Sequence, residues 1–127
     1  MAPARKLNPG AVHQISTNVT FADNGSAVVI GTVPAGARVL RATAIVTEAF
    51  NAGTSNVLDI GTTADPDGFA TDIALGTIGN IAADEMATTN DQVASVDTGI
   101  IATVALSGTA ATAGAADIVV EYIAEVG

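Results

Sequence analysis

Carboxylates are the only side chains of this sequence that crowd together closely enough to suggest chemistry. Asp65-Pro66-Asp67-Gly68 lies between Asp59 and Asp72, and oxygen donors at that density are what a hard cation such as calcium uses. Calcium takes roughly six to eight oxygens, and the loop that binds it is closed by a glutamate. This stretch has neither that spacing nor the closing Glu. Asp beside Pro and Gly is also how an ordinary turn is written. The turn is the preferred reading, with an ion at Asp65 and Asp67 as the alternative.

Asp84-Glu85 and Glu121 with Glu125 are the other acid pairs. Paired carboxylates hydrolyse glycosides inside a walled cleft with aromatic platforms, and this chain has three Phe, one Tyr and no Trp. Its one histidine, His13, has no Ser and acid marked as partners for a triad. A structural or solvent-facing role is expected for it. With one His and no Cys, a zinc site would need mostly carboxylates. Neither the phosphate-binding Gly-x-Gly-x-x-Gly nor the Lys-bearing P-loop occurs. The expectation is therefore no catalytic residue, no metal, no cofactor and no small-molecule substrate.

The elements carrying these residues read as strands. His13 to Phe21 alternates Ile15, Thr17, Val19 and Phe21, and its β-branched residues favour extended backbone. Asp23-Asn24-Gly25-Ser26 predicts a hairpin turn, with Ala27 to Val33 as the returning strand. Pro34-Ala35-Gly36 predicts a second tight turn. Ala37 to Phe50 is the longest strand candidate, with neither face purely polar. Val57 to Ile60, Phe69 to Leu75, Ile100 to Leu106 and Ala115 to Ala124 follow, with Val93 to Val96 as an edge strand. In the last of the long strands Ile118, Val120 and Tyr122 point one way and Val119, Glu121 and Ile123 the other. Residues 76–92 are the least legible, either a short helix across Ala82 to Met86 or a long loop. About eight strands at regular intervals predict an all-β antiparallel sandwich.

Bulk properties limit the function classes. A chain of 127 residues is one domain: a β-sandwich over 13–127, preceded by an arm over 1–12 that stays mobile unless a partner ties it down. Hydrophobic residues make up 49% of the chain but aromatics only 3%. A core of small side chains removes less apolar area per residue, at about 25 cal/mol per Å², so further burial against partner chains is expected. No apolar stretch approaches the roughly 20 residues of a membrane helix. The N-terminus has no apolar h-region behind its two positive charges, so it does not read as a secretory signal.

Charge is unevenly distributed. All four basic residues (Arg5, Lys6, Arg38, Arg41) precede residue 43, together with a single acid, Asp23; every later charge is negative, and the total is −9. Such a body repels phosphates, so nucleic acid is not an expected partner. The charge either forms a solvated acidic surface or separates an acidic outward face from a basic inner end. Arg38 and Arg41 differ by three positions, which on a regular strand points them to opposite faces. They are candidate interface charges or ordinary ion pairs.

Five stretches carry a resemblance. Val33-Pro34-Ala35-Gly36-Ala37-Arg38-Val39 leads to Thr47-Glu48-Ala49-Phe50-Asn51-Ala52-Gly53. Leu58-Asp59-Ile60-Gly61-Thr62 then precedes Asp65-Pro66-Asp67-Gly68-Phe69, and Gly114 to Tyr122 closes the chain. The pattern resembles small structural proteins of tailed bacteriophages, above all the jelly-roll head decoration, or cement, proteins. It covers roughly residues 28–75 and 100–124, and its motifs are turn and strand signatures with no catalytic fingerprint. The resemblance implies a jelly roll that stabilises a capsid as a homotrimer bridging capsomers. The virion's outer surface would be its location, after synthesis in the host cytoplasm. Its partners would be the major capsid protein and itself, and Arg5, Lys6, Leu7 and Asn8 would lie in a shell-contact arm. The rival readings are a phage tail or fibre-associated binding module and a cellular β-sandwich surface-layer subunit.

Overall fold

The computed structural model describes residues 12–82 and 96–123. Eight strands form there: β1 His13–Thr20, β2 Ala27–Val33, β3 Arg38–Glu48, β4 Ser55–Thr62, β5 Ala70–Ala74, β6 Gly79–Ala82, β7 Thr98–Ser107 and β8 Ala115–Ile123. They make two four-stranded antiparallel sheets, ordered β1-β8-β3-β6 and β2-β7-β4-β5. β1 pairs with β8, β2 with β7, β3 with β6 and β4 with β5. That is the pairing of one long hairpin rolled over on itself. β8 also joins β3, and β7 joins β4. The result is a jelly-roll sandwich.

Alternation in the sequence decides which faces meet. Val19, Ala42, Ala44, Val46, Ile118 and Val120 of the first sheet are buried, as are Val33, Leu58, Ile60, Ile100, Ala102 and Val104 of the second. No polar or charged residue is buried among the described residues. The aromatics sit at the margins. Phe50 and Phe69 close the core from loops, held by backbone bonds from Phe50 N–H to the Leu75 carbonyl and from Phe69 N–H to the Ile60 carbonyl. With so few large side chains, the sheets must approach closely. Gly31 makes this possible at one edge, because a Cβ there would meet the Ile15 side chain of the opposite sheet at 2.9 Å.

Both early turns reverse the chain, but neither makes a hairpin, which corrects the expectation at Asp23 to Ser26. β1 and β2 belong to different sheets. Thr20 caps a short 3-10 turn at Phe21–Asp23 through a reciprocal bond with Asp23. Gly25, at φ +81°, then aims its N–H at the Val104 carbonyl of the second sheet. The turn residues set the reversal, and burial of both inner faces chooses the sheet. At the next corner the Ala37 N–H bonds the Pro34 carbonyl with Gly36 at φ +74°. Proline thus opens that turn, and glycine supplies its left-handed position.

Residues 79–82 form β6 on the edge beside β3, where the sequence suggests a helix or loop. With four residues, one of them Gly79 at φ +148°, the strand is too short for alternation to register. The rest of the suggested helix, most of the Val93 to Val96 strand and the arm up to residue 11 lie outside the described residues. Val96 itself is not in a strand.

Leu58 is fully buried at the centre of β4. Leu58→Ala should lower the unfolding free energy by about 2–5 kcal/mol, measured by urea denaturation. A loss under about 1 kcal/mol would mean that this core collapses around the deletion.

Candidate assembly surfaces

Register places the candidate charges. In β3 the pairing to β8 slips between Val39 and Arg41, so that Val39 faces Tyr122, Arg41 faces Glu121 and Ala42 faces Val120. The extra residue of this bulge inverts the alternation beyond it. Val39 and Ala42 therefore both point into the core, and Arg38 and Arg41 both point outward from the same sheet. The expectation of opposite faces is corrected: the two arginines share one surface. Spacing of three hides this, and nothing in Val39-Leu40-Arg41 announces a bulge.

Arg41 pairs with Glu121 through Nε and Oε1 at 2.6 Å, with the two side chains 68% and 29% exposed. An ion pair this open contributes about 0–1 kcal/mol. Gln14 of β1 lies opposite Glu121 on the other side, so Gln14, Glu121 and Arg41 form one row across three strands. His13 begins β1 at this same end of the sandwich. The start of β1 and the arginines are thereby brought to one end of the sandwich. That end is not purely basic: the Ala35 N–H bonds the Asp97 carboxylate, and the β4–β5 loop with Asp65 and Asp67 lies at the same end in the other sheet.

The acidic loop serves itself. Asp65 and Thr62 exchange backbone bonds, and the Gly68 N–H bonds the Asp65 carbonyl. The Asp59 carboxylate accepts the N–H of Asp72, which sits at φ +55°. Gly61 is obligatory beneath this loop, because a Cβ would collide with the Asp65 and Pro66 backbone. Among the described residues no three His, Cys, Asp or Glu side chains gather where a metal ion could be held. Asp65-Pro66-Asp67-Gly68 is a turn closed by the backbone bonds of Asp65.

His13 faces inward and stacks on Tyr122, with ring centroids 5.4 Å apart at 29°. Its Nε2 is buried without a hydrogen-bond partner. No Ser or acid converges on it among the described residues, so it closes the core at the end where the arm begins. At the opposite end a groove of about 250 Å³ runs between Phe21, Asn24, Ala52, Leu106 and the 107–111 loop. Its polar groups are already engaged: Asn24 Oδ1 accepts the Leu106 N–H, and Gly53 and Thr109 are joined through backbone. It is a seam between loops.

No family model matches this sequence, and no curated protein matches it. Solved structures do. Chains similar to this one occur in a structure described as the cyanophage Pam1 capsid asymmetric unit (TM-score 0.69, 22% identity, 96% of this chain and 94% of that one). Another is in the capsid of Ralstonia phage GP4 (TM-score 0.73, 18% identity, 100% and 92%). A third is in the acid-stable capsid of Helicobacter pylori bacteriophage KHP30 (TM-score 0.65, 14% identity, 91% and 90%). What they share with this chain is the fold. The similarity spans nearly the whole of each chain.

The Arg41–Glu121 pair yields a quantitative expectation. A double-mutant cycle of Arg41→Ala and Glu121→Ala, read by urea unfolding, should give a coupling of about 1 kcal/mol or less. High salt should reduce it further. A coupling of several kcal/mol, insensitive to salt, would assign this pair a role in holding the fold.

Proposed function

We propose that this chain is a non-enzymatic structural protein of a phage virion, which decorates and stabilises the capsid as a homotrimer bridging capsomers. The observation that carries this is the near-complete likeness in fold to chains from three phage capsids. The chemistry agrees with it. Among the described residues Asp59 accepts a backbone N–H and Glu121 pairs with an arginine, the single histidine packs on Tyr122, and the groove beside Phe21 is a seam between loops. The remaining resource of the molecule is its surface.

The partners are the major capsid protein and other copies of this chain, on the outer surface of the particle. Residues 1–12, with Arg5, Lys6, Leu7 and Asn8, are the shell-contact arm. Arg38 and Arg41 extend that contact on the sheet face beside the start of β1. Each contact is weak alone. Attachment gains its strength from several arms engaging one lattice at high effective concentration, while the net charge of −9 keeps crowded copies from aggregating.

Deleting residues 1–12 should leave a folded domain with an unchanged β-sheet circular dichroism spectrum and abolish co-sedimentation with capsids. Full attachment of the truncated protein would remove the arm from the account. Immunogold microscopy of particles from the producing culture should label the whole head. Label on the tail alone would favour a tail-associated module, and unlabelled particles would end the virion reading.

A further inference from the structure

Among the described residues each sheet has two edge strands, β1 and β6 in the first and β2 and β5 in the second. An edge presents a row of unpaired backbone N–H and C=O groups, and folded proteins blunt it where no further strand is to join. Three of these edges are blunted. β6 has four residues and begins at Gly79, with φ +148°. β5 has five, and Asp72 at φ +55° breaks its extended course while the Asp59 carboxylate takes its N–H. β2 is bulged, its register to β7 slipping between Val29 and Gly31. β1 has no such device. It pairs with β8 without a slip from His13 to Thr20, and it contains no proline, acid, lysine or arginine.

Register fixes which groups this edge offers. The Phe21 N–H bonds the Gly114 carbonyl just beyond the last pair of the β1–β8 ladder. Every second residue back from there, Val19, Thr17, Ile15 and His13, is therefore bonded to β8. The N–H and C=O groups of Gln14, Ser16, Asn18 and Thr20 point the other way, to the open side. Thr20 agrees with this, since its N–H donates to the Asp23 carboxylate at 2.8 Å. Gln14, Ser16 and Asn18 remain, with no backbone partner on that side among the described residues. Their donors and acceptors repeat about every 6.8 Å along the strand.

We infer that the free edge of β1 receives an extended, uncharged segment of the partner protein on which this chain docks, added as a further strand. Main-chain bonds supply the affinity of such an addition, and alternate side chains supply its selectivity. Gln14, Ser16 and Asn18 are exposed, whereas Ile15 and Thr17 are half-buried, with Ile15 beside Gly31 of β2. The segment that fits places polar side chains beside the first three and small apolar or β-branched ones beside Ile15 and Thr17. This rests on the capsid reading above and gives that contact its backbone chemistry. The proposed shell-contact arm leads directly into β1, so a partner met by the arm is carried along this edge. Two other occupants are opposed by the chain itself. Residues 1–11 include Pro3 and Pro9, neither of which has an N–H to donate. Two copies meeting edge to edge would bring together bodies that each carry −9, which repel.

Amide hydrogen exchange of the full-length chain, alone and bound to capsids from the producing culture, reads the edge directly. In the dilute free chain Gln14, Ser16 and Asn18 should exchange fast, between protected Ile15, Thr17 and Val19. On capsids all six should be protected. Ser16→Pro removes one outward N–H and no ladder bond. It should weaken co-sedimentation with capsids about tenfold, the contribution of roughly one hydrogen bond, with unchanged circular dichroism. Ser16→Lys, a charge of the kind that guards natural edges, should do the same, and it decides if Ser16→Pro unfolds. Protection of the three amides already in the dilute free chain would give the edge to the chain's own terminus. Protection that appears on concentrating the free chain would give it to a second copy; either result overturns the inference. Attachment with these amides still exchanging fast, or folded variants that attach like wild type, would overturn it and leave the virion reading standing. A wild-type chain that fails to attach would remove both.

Discussion

The insertion of β8 between β1 and β3 is the constraint on which the sandwich rests. β8 is the last described strand, yet it is central in its sheet and hydrogen-bonds β1 on one side and β3 on the other. Without it β1 has no ladder, and the first sheet reduces to β3 and the four residues of β6. The apolar side of β8, with Ala116, Ile118 and Val120 fully buried, fills the first sheet's half of the core. The chain therefore cannot complete its sheet until its two ends have met. Loop closure on that scale precedes the contacts that reward it. The same closure places the start of β1 and the Arg41–Glu121 row at one corner, so the geometry of the proposed shell contact follows from the strand that finishes the fold.

A core of Ala, Val, Ile and Leu has consequences beyond stability. Each small side chain removes little area, so close packing must compensate, and glycines mark where backbone approaches backbone or ring. Gly31 admits Ile15 from the facing sheet, Gly114 lies against the Phe50 ring, and Gly61 lies under the 65–66 backbone. Such packing leaves no wide cleft between the sheets. The groove beside Phe21 is a seam between loops at one end of the sandwich.

Strands were legible in this sequence because period-two alternation and β-branched residues agree along β1, β2, β3, β7 and β8. Turns were legible through Gly25 and Gly36, whose positive φ the sequence anticipates. Partner choice was not. Asn24-Gly25 signals a reversal, and whether the returning strand stays in its sheet depends on residues some eighty positions away at Val104. Bulges were equally hidden: the slip between Val39 and Arg41 moves an arginine across the sheet, although Val39-Leu40-Arg41 reads as plain alternation. Ile45 and Val46 made β3 recognisable, while Gly79-Asn80-Ile81-Ala82 has too few residues for any period. Of the candidate site residues, Arg38 and Arg41 are brought to one surface, and Arg5, Lys6, Leu7 and Asn8 belong to the part of the chain outside the described residues.

The distribution of charge joins these points into one argument. Thirteen acids against four bases would make every approach between copies unfavourable if the charges were spread evenly. They are not. The basic residues all precede residue 43, and the two that are described share the outer face of the first sheet. A molecule that only needed solubility would gain nothing from such segregation. The role proposed above would draw on both features: repulsion between acidic bodies against disordered clustering, and the arginine-bearing face for contact. Repulsion falls off within about 8–10 Å at physiological salt, while contact is felt only at van der Waals distance.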